Sequence, residues 1–145
     1  GPENKWTTGQ QALHLLQSIK PLNNALSMPK FLLRFKFGKA NRPVRNYNAI
    51  VQRYQERLEG VKGKTFKGSQ NMKVPTLSEK EFILNRLQTE QKKLQYKTKK
   101  ISDKNLDTLI LPHPLMGKMP IREIIMWTAH HVEHHTETFK EKYNF

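Results

Sequence analysis

Apolar side chains recur at steps of three and four along this chain, and that period confines it to a helical fold. Ala12, Leu15, Leu16, Ile19, Leu22 and Leu26 trace one helix face. Thr8 and Gln11 have capping-box spacing at its start, and Pro21 is expected to end or kink it. Residues 47–59 predict a second, short helix stopped by Gly60. Ser78 with Glu81 repeats the capping-box spacing and opens a third helix of roughly 24 residues, striped by Ile83, Leu87, Leu94 and Ile101. Pro120 suits a first helical position, and a fourth helix runs from there to about Lys142. Strand signals are weak, since Phe31 to Phe37 alternates only in part. The helix count predicts an all-α fold, a four-helix bundle, and 145 residues suit a single domain over 1–145.

Two connections are longer than the ~2–8 residues usual between bundle helices. One is 27–46, with Pro29, Gly38 and Pro43; the other is 61–77, with Gly63, Gly68 and Pro75. Loops of this length predict a functional lid or local disorder. Both fall in the basic part of the chain. Residues 28–104 carry 20 of the 26 Lys and Arg and 6 of the 12 Asp and Glu, which is the whole net charge of +14. The two ends carry six of each and cancel.

Such a charge can follow nucleic-acid phosphates, and Phe31-Leu-Leu-Arg-Phe-Lys-Phe37 interleaves aromatic and basic residues as base-stacking or membrane-surface segments do. A binding module for nucleic acid or anionic lipid is therefore the alternative function, and a degenerate, inactive bundle is a third. A solvated helix face is the plainer account of Lys92, Lys93, Lys97, Lys99 and Lys100. No apolar run approaches the ~20 residues of a membrane span, and no signal-peptide layout opens the chain. There is no cysteine, which excludes disulfides, thiolate metal sites and a cysteine nucleophile and fits a cytoplasmic protein. Gly1-Pro2 matches the scar of a cleaved tag and is given no structural weight.

The chemistry concentrates in Trp127-Thr-Ala-His130-His131-Val-Glu133-His134-His135. Residues four apart on a helix lie side by side, so 130/134 and 131/135 are both candidate metal-binding pairs. A helical wheel with Ile121 at zero places His135 about 40° and His131 about 80° from the apolar centre that includes Phe139. His130 lies about 180° away and His134 about 140°, facing water. The inward pair is His131 and His135. His130-His-Val-Glu133-His134 also satisfies the inverted zinc-peptidase pattern, but it uses the outward pair, and such sites need a further acidic ligand well downstream. A third ligand is needed, with His14, His113 or a carboxylate as candidates. His113, between two prolines, reads as a rigid turn residue bonded to backbone. His14 lies away from the stripe of its own helix, and spacing alone makes it a surface residue.

Three segments resemble the DinB-like (DinB/YfiT) metalloenzyme superfamily. Trp6-Thr-Thr-Gly-Gln-Gln-Ala-Leu-His14-Leu is similar to its W-[ST]-x-x-[EQ]-x-x-x-H-L segment. His113-Pro-Leu-Met-Gly117-Lys-Met-Pro-Ile-Arg-Glu resembles the approach to its final helix, and His131-Val-Glu-His134-His135 its H-x-x-H-H ending. The resemblance covers both ends and hardly touches the basic middle. It implies a four-helix bundle holding a divalent metal, nickel or zinc, on His14, His131 and His135. The family pattern has a helix before the Trp segment, where this sequence has five residues. The bundle is thus expected either to lack its N-terminal helix or to replace it, for example with the short helix at 47–59.

Three histidines leave an open metal position, where a water would be acidified or a thiol ionised. The resemblance implies a metal-dependent hydrolase or thiol S-transferase with a small-molecule substrate, anionic or a low-molecular-weight thiol. A homodimer stays open. Glu133 and Glu137 are candidates for proton handling, though their wheel positions do not favour it.

Overall fold

Four of the six helices among the described residues begin where a side chain accepts from exposed backbone N–H groups. In the computed structural model, which describes residues 6–61 and 73–143 (138–143 in backbone only), Thr7 caps α1, Thr8–Leu26. Thr7 Oγ1 accepts from Gln10 N at 3.2 Å, and Gln10 Oε1 accepts from Thr7 N at 3.0 Å. This capping box sits one residue earlier than the expected Thr8–Gln11 pair. The shift matters, because it frees Gln11 to point inward, where it is buried. α1 runs unbroken through Pro21, which is exposed.

The expected loop 27–46 contains a further helix, α2, Lys30–Phe37. Its apolar residues lie all round, with Leu33 buried and Phe31 and Phe35 exposed, so no clean period marked it. Gly38, at φ 86°, ends it in a conformation that other residues rarely adopt. α3, Tyr47–Gly60, is the short helix expected at 47–59, capped by Asn46. The expected loop 61–77 lies outside the described residues except at Val61 and 73–77, so Gly63 and Gly68 are not described.

α4, Leu77–Lys100, is capped by Thr76 with Glu79, two residues before the expected Ser78–Glu81 box. Ile83 and Leu87 are buried, and Leu94 and Ile101 half-buried, as their stripe predicts. Glu90 shares that buried face and accepts from Asn23 Nδ2 of α1 at 2.8 Å. Lys92, Lys93, Lys99 and Lys100 are exposed, whereas Lys97 donates to Asn23 O and Ser27 Oγ at the end of α1.

A short α5, Asp103–Thr108, leads into a hairpin that the sequence barely signals. Its strands are β1, Ile110–His113, and β2, Gly117–Pro120, antiparallel with Leu111 opposite Met119 and His113 opposite Gly117. Pro120 closes β2, and α6, Ile121–Tyr143, starts one residue later than expected.

The protein is mostly helical. α1 packs on α4 and α6, and α3 packs on α6, so these four helices make the bundle. One core joins Ala12, Leu15, Leu16 and Ile19 of α1 to Ile83 and Leu87 of α4. A larger one gathers Leu22, Leu33, Ile50, Tyr54, Met119, Ile124 and Trp127 from α1, α2, α3, the hairpin and α6. Glu123, fully buried, anchors the segment before α3: Arg42 donates to both its oxygens at 2.5 and 2.7 Å, and Arg45 N donates at 2.8 Å. No helix among the described residues is long and apolar enough to cross a membrane.

Candidate metal centre

α6 turns His131 and His135 inward and His134 outward as the wheel predicts, whereas His130, expected to face water, lies against Tyr47 and Tyr54 of α3. His131 and His135 are buried at 2% and 1% exposure, His134 is exposed and His130 half-buried. Phe139, which completed the expected stripe, has a side chain outside the described residues. Opposite them lies His14 of α1, and its Nε2 is 3.1 Å from His131 Nε2. His135 Nε2 is 3.2 Å from the same atom. The nitrogens of all three lie within 4.8 Å of one another, a group that can bind a metal ion.

Spacing alone made His14 a surface residue, and the structure corrects that. α1 has two inward faces, and the wheel saw only the richer one, which packs on α4. Gln11, His14 and Ser18 follow at steps of three and four along a second, polar edge. Gln11 and His14 meet α6 there, while Ser18 Oγ donates to His14 O at 2.9 Å. That polar stripe was the available signal. His135 Nδ1 lies 3.2 Å from Gln11 Oε1, so with its proton on Nδ1 it donates there and leaves Nε2 free as a lone pair.

Two tryptophans frame the cluster. Trp6 packs on His14 with centroids 5.0 Å apart, and Trp127 stacks on His131 at 4.6 Å and 18°. Burial keeps these imidazoles neutral. Desolvation lowers His14 to about 4, and desolvation with the neighbouring imidazoles lowers His135 to about 3 and His131 to about 2. Neutral imidazole is the ligating form.

The third candidate, His113, ends β1 and stands apart. Its Nδ1 accepts from Leu115 N and Met116 N at 3.0 and 3.1 Å, the turn role expected of it. Burial lowers it too, to about 4. The inverted zinc-peptidase pattern does not assemble: His130 and His134 are absent from the group within ligating reach among the described residues. They line a smaller recess with Tyr47, Glu133 and Glu137, whose lining includes none of His14, His131 and His135.

A cavity of about 800 Å³ opens beside the cluster, lined by His14, Leu22, Phe37, Tyr54, Trp127 and His131 among others. Tyr54 and Trp127 are contributors that the sequence reading did not single out. The family model described as the DinB superfamily matches residues 2–139. No curated protein and no solved structure matches the chain.

Proposed function

The chain belongs to the DinB superfamily, and from that premise we propose that it is a metal-dependent enzyme of hydrolase or thiol S-transferase type. In this reading His14, His131 and His135 hold one divalent ion, nickel or zinc. The observation that carries it is a meeting of three nitrogens that hydrogen bonds alone cannot satisfy. His131 Nε2 has a single position, filled by a proton or a lone pair, yet it faces two further Nε2 atoms at 3.1 and 3.2 Å. A cation among them takes one lone pair from each.

The ion would supply Lewis acidity at an open coordination position. The chain's own residues prepare the site. Gln11 sets the tautomer of His135, and the stacked Trp127 fixes the plane of His131. The cavity beside the cluster offers a largely apolar wall against which a substrate can pack. Glu133 and Glu137 are exposed beside the other recess, so they are not the proton carriers of this site. A thiol, if used, comes as a cosubstrate, because the chain has no cysteine.

The test has two arms on metal-loaded protein. One supplies a low-molecular-weight thiol with an electrophile, the other a panel of esters and amides. Turnover in one arm, lost in His131→Ala, is expected. No turnover above buffer in either arm from protein carrying one ion per chain contradicts the enzymatic reading.

A further inference from the structure

α2 is apolar on two opposite sides. Its inner side carries Leu33, which is buried, and Phe37, half-buried against the larger core. Its outer side carries Phe31, Leu32 and Phe35 at 69%, 39% and 90% exposure. On a wheel of about 100° per residue, Phe35 lies about 160° from Leu33, with Phe31 about 40° to one side of it and Leu32 about 60° to the other. Phe31 and Phe35 are one turn apart, so they form a contiguous ridge rather than scattered single side chains.

Positive charge borders this ridge. Arg34 and Lys36 flank it, each about 100° from Phe35 and on opposite sides. Lys30 begins the helix and Lys39 follows it, and Lys118 of β2 reaches its end, where Nζ is 3.5 Å from Phe37 O. Residues 28–46 contain no Asp or Glu. None of these five cations forms a salt bridge among the described residues.

We propose that α2 is an interfacial anchor that lays Phe31, Leu32 and Phe35 into the headgroup boundary of an anionic lipid bilayer. In a helix lying in the membrane plane, apolar side chains enter the boundary while long basic side chains on both flanks reach back to the phosphates. Eight residues are too few to span a bilayer, so the association is peripheral and reversible. The net charge of +14 draws the protein to such a surface. Two other occupants fit less well. A second copy of the helix would bring Arg34 and Lys36 of both chains together, with no carboxylate in 28–46 to pair with them. A nucleic-acid strand would meet a ridge that includes Leu32, which cannot stack on a base as an aromatic ring does, and α2 has no amide or hydroxyl side chain to hydrogen-bond one.

The same helix gives Lys36 and Phe37 to the wall of the cavity beside the histidines, so the anchor adjoins the candidate active site. It does not depend on the metal, because no residue of α2 belongs to the three-histidine group.

The full chain is sedimented with vesicles of phosphatidylcholine alone and of phosphatidylcholine with about 30% phosphatidylserine, across salt, before and after chelator treatment. Partition should be at least about ten-fold stronger on the anionic vesicles, should weaken as salt rises, and should not respond to the chelator. Phe31→Ser combined with Phe35→Ser, and separately Arg34→Glu, should each weaken it about ten-fold. All three positions are exposed, so the far-ultraviolet circular dichroism should stay that of the parent. Lys92→Glu, an equal change of charge on an exposed position of α4, should cost less than about three-fold. Phe35→Trp should add a fluorescence that brominated acyl chains quench, beyond any quenching of the parent's Trp6 and Trp127. No partition below about 1 mM lipid, equal partition on both kinds of vesicle, or parent-like binding by the double phenylalanine variant overturns the anchor. So does a loss in Lys92→Glu that matches Arg34→Glu, or an added tryptophan that the brominated chains leave unquenched. A labelled DNA strand bound in place of vesicles, and released by the double variant, would assign the ridge to nucleic acid. A dimer formed without vesicle binding, and abolished by the same variant, would assign it to a second copy. Either result contradicts the proposal.

Discussion

Gln11 Oε1 lies 3.2 Å from His135 Nδ1, joining α1 to α6 behind the three-histidine group. A histidine ligand whose second nitrogen donates to a fixed acceptor is held in one tautomer and one orientation. Gln11→Ala should therefore lower metal affinity by about 10–100-fold while the far-ultraviolet circular dichroism stays that of the parent. Competition against a chromophoric chelator measures it. Unchanged affinity in a folded variant would remove Gln11 from the site.

Acid should destabilise the protein well above the range where carboxylates titrate. Burial holds His14 and His113 down to about 4, and His135 to about 3. Below the ordinary histidine value of about 6.5 the unfolded chain takes up protons that the folded chain refuses. Stability present above that value is thus lost as pH falls towards the folded values, by up to about 1.4 kcal/mol per pH unit for each such histidine. Urea midpoints of chelator-treated protein from about pH 7.5 to about pH 4.5 should fall steadily. A flat profile would mean that these rings are not buried neutral.

The buried Glu123 carboxylate offers a stability test away from the site. Burial alone would raise its pKa, but the bonds from Arg42 and Arg45 hold it below the ordinary value. Arg42→Ala leaves that charge short of a partner inside the protein and should cost about 2–3 kcal/mol in urea unfolding. Arg57→Ala, on the exposed side of α3, should stay within about 0.5 kcal/mol.

The start of α4 can be checked by its cap. Thr76 Oγ1 accepts from Glu79 N at 3.3 Å, and Glu79 Oε2 accepts from Thr76 N at 3.0 Å. Thr76→Ala should cost about 1 kcal/mol in thermal or urea unfolding, and Ser78→Ala much less. The reverse order would restore the box at Ser78 and Glu81.

The two cap registers show how far local pattern reached in this sequence. Hydroxyl residues one or two positions apart compete to cap α1 and α4, so spacing identified the helices but missed their first residues. On α6 the wheel succeeded because one dominant face exists, and His131 and His135 lie on its border. On α1 the same method failed for His14, because a helix that packs on two neighbours has two inward directions and the wheel averages them. Resemblance, not periodicity, pointed to His14. α2 was hidden by apolar residues on every side, and the hairpin by strands of four residues rich in proline and glycine. His113 was read correctly as a backbone-bonded turn residue.

Metal content of the purified protein tests the central claim most directly. Elemental analysis should find about one divalent ion per chain in the parent and in His130→Ala. His14→Ala, His131→Ala and His135→Ala should each lose it. Equal metal in all of these variants, or none in the parent after growth with added nickel and zinc, would contradict a three-histidine metal centre.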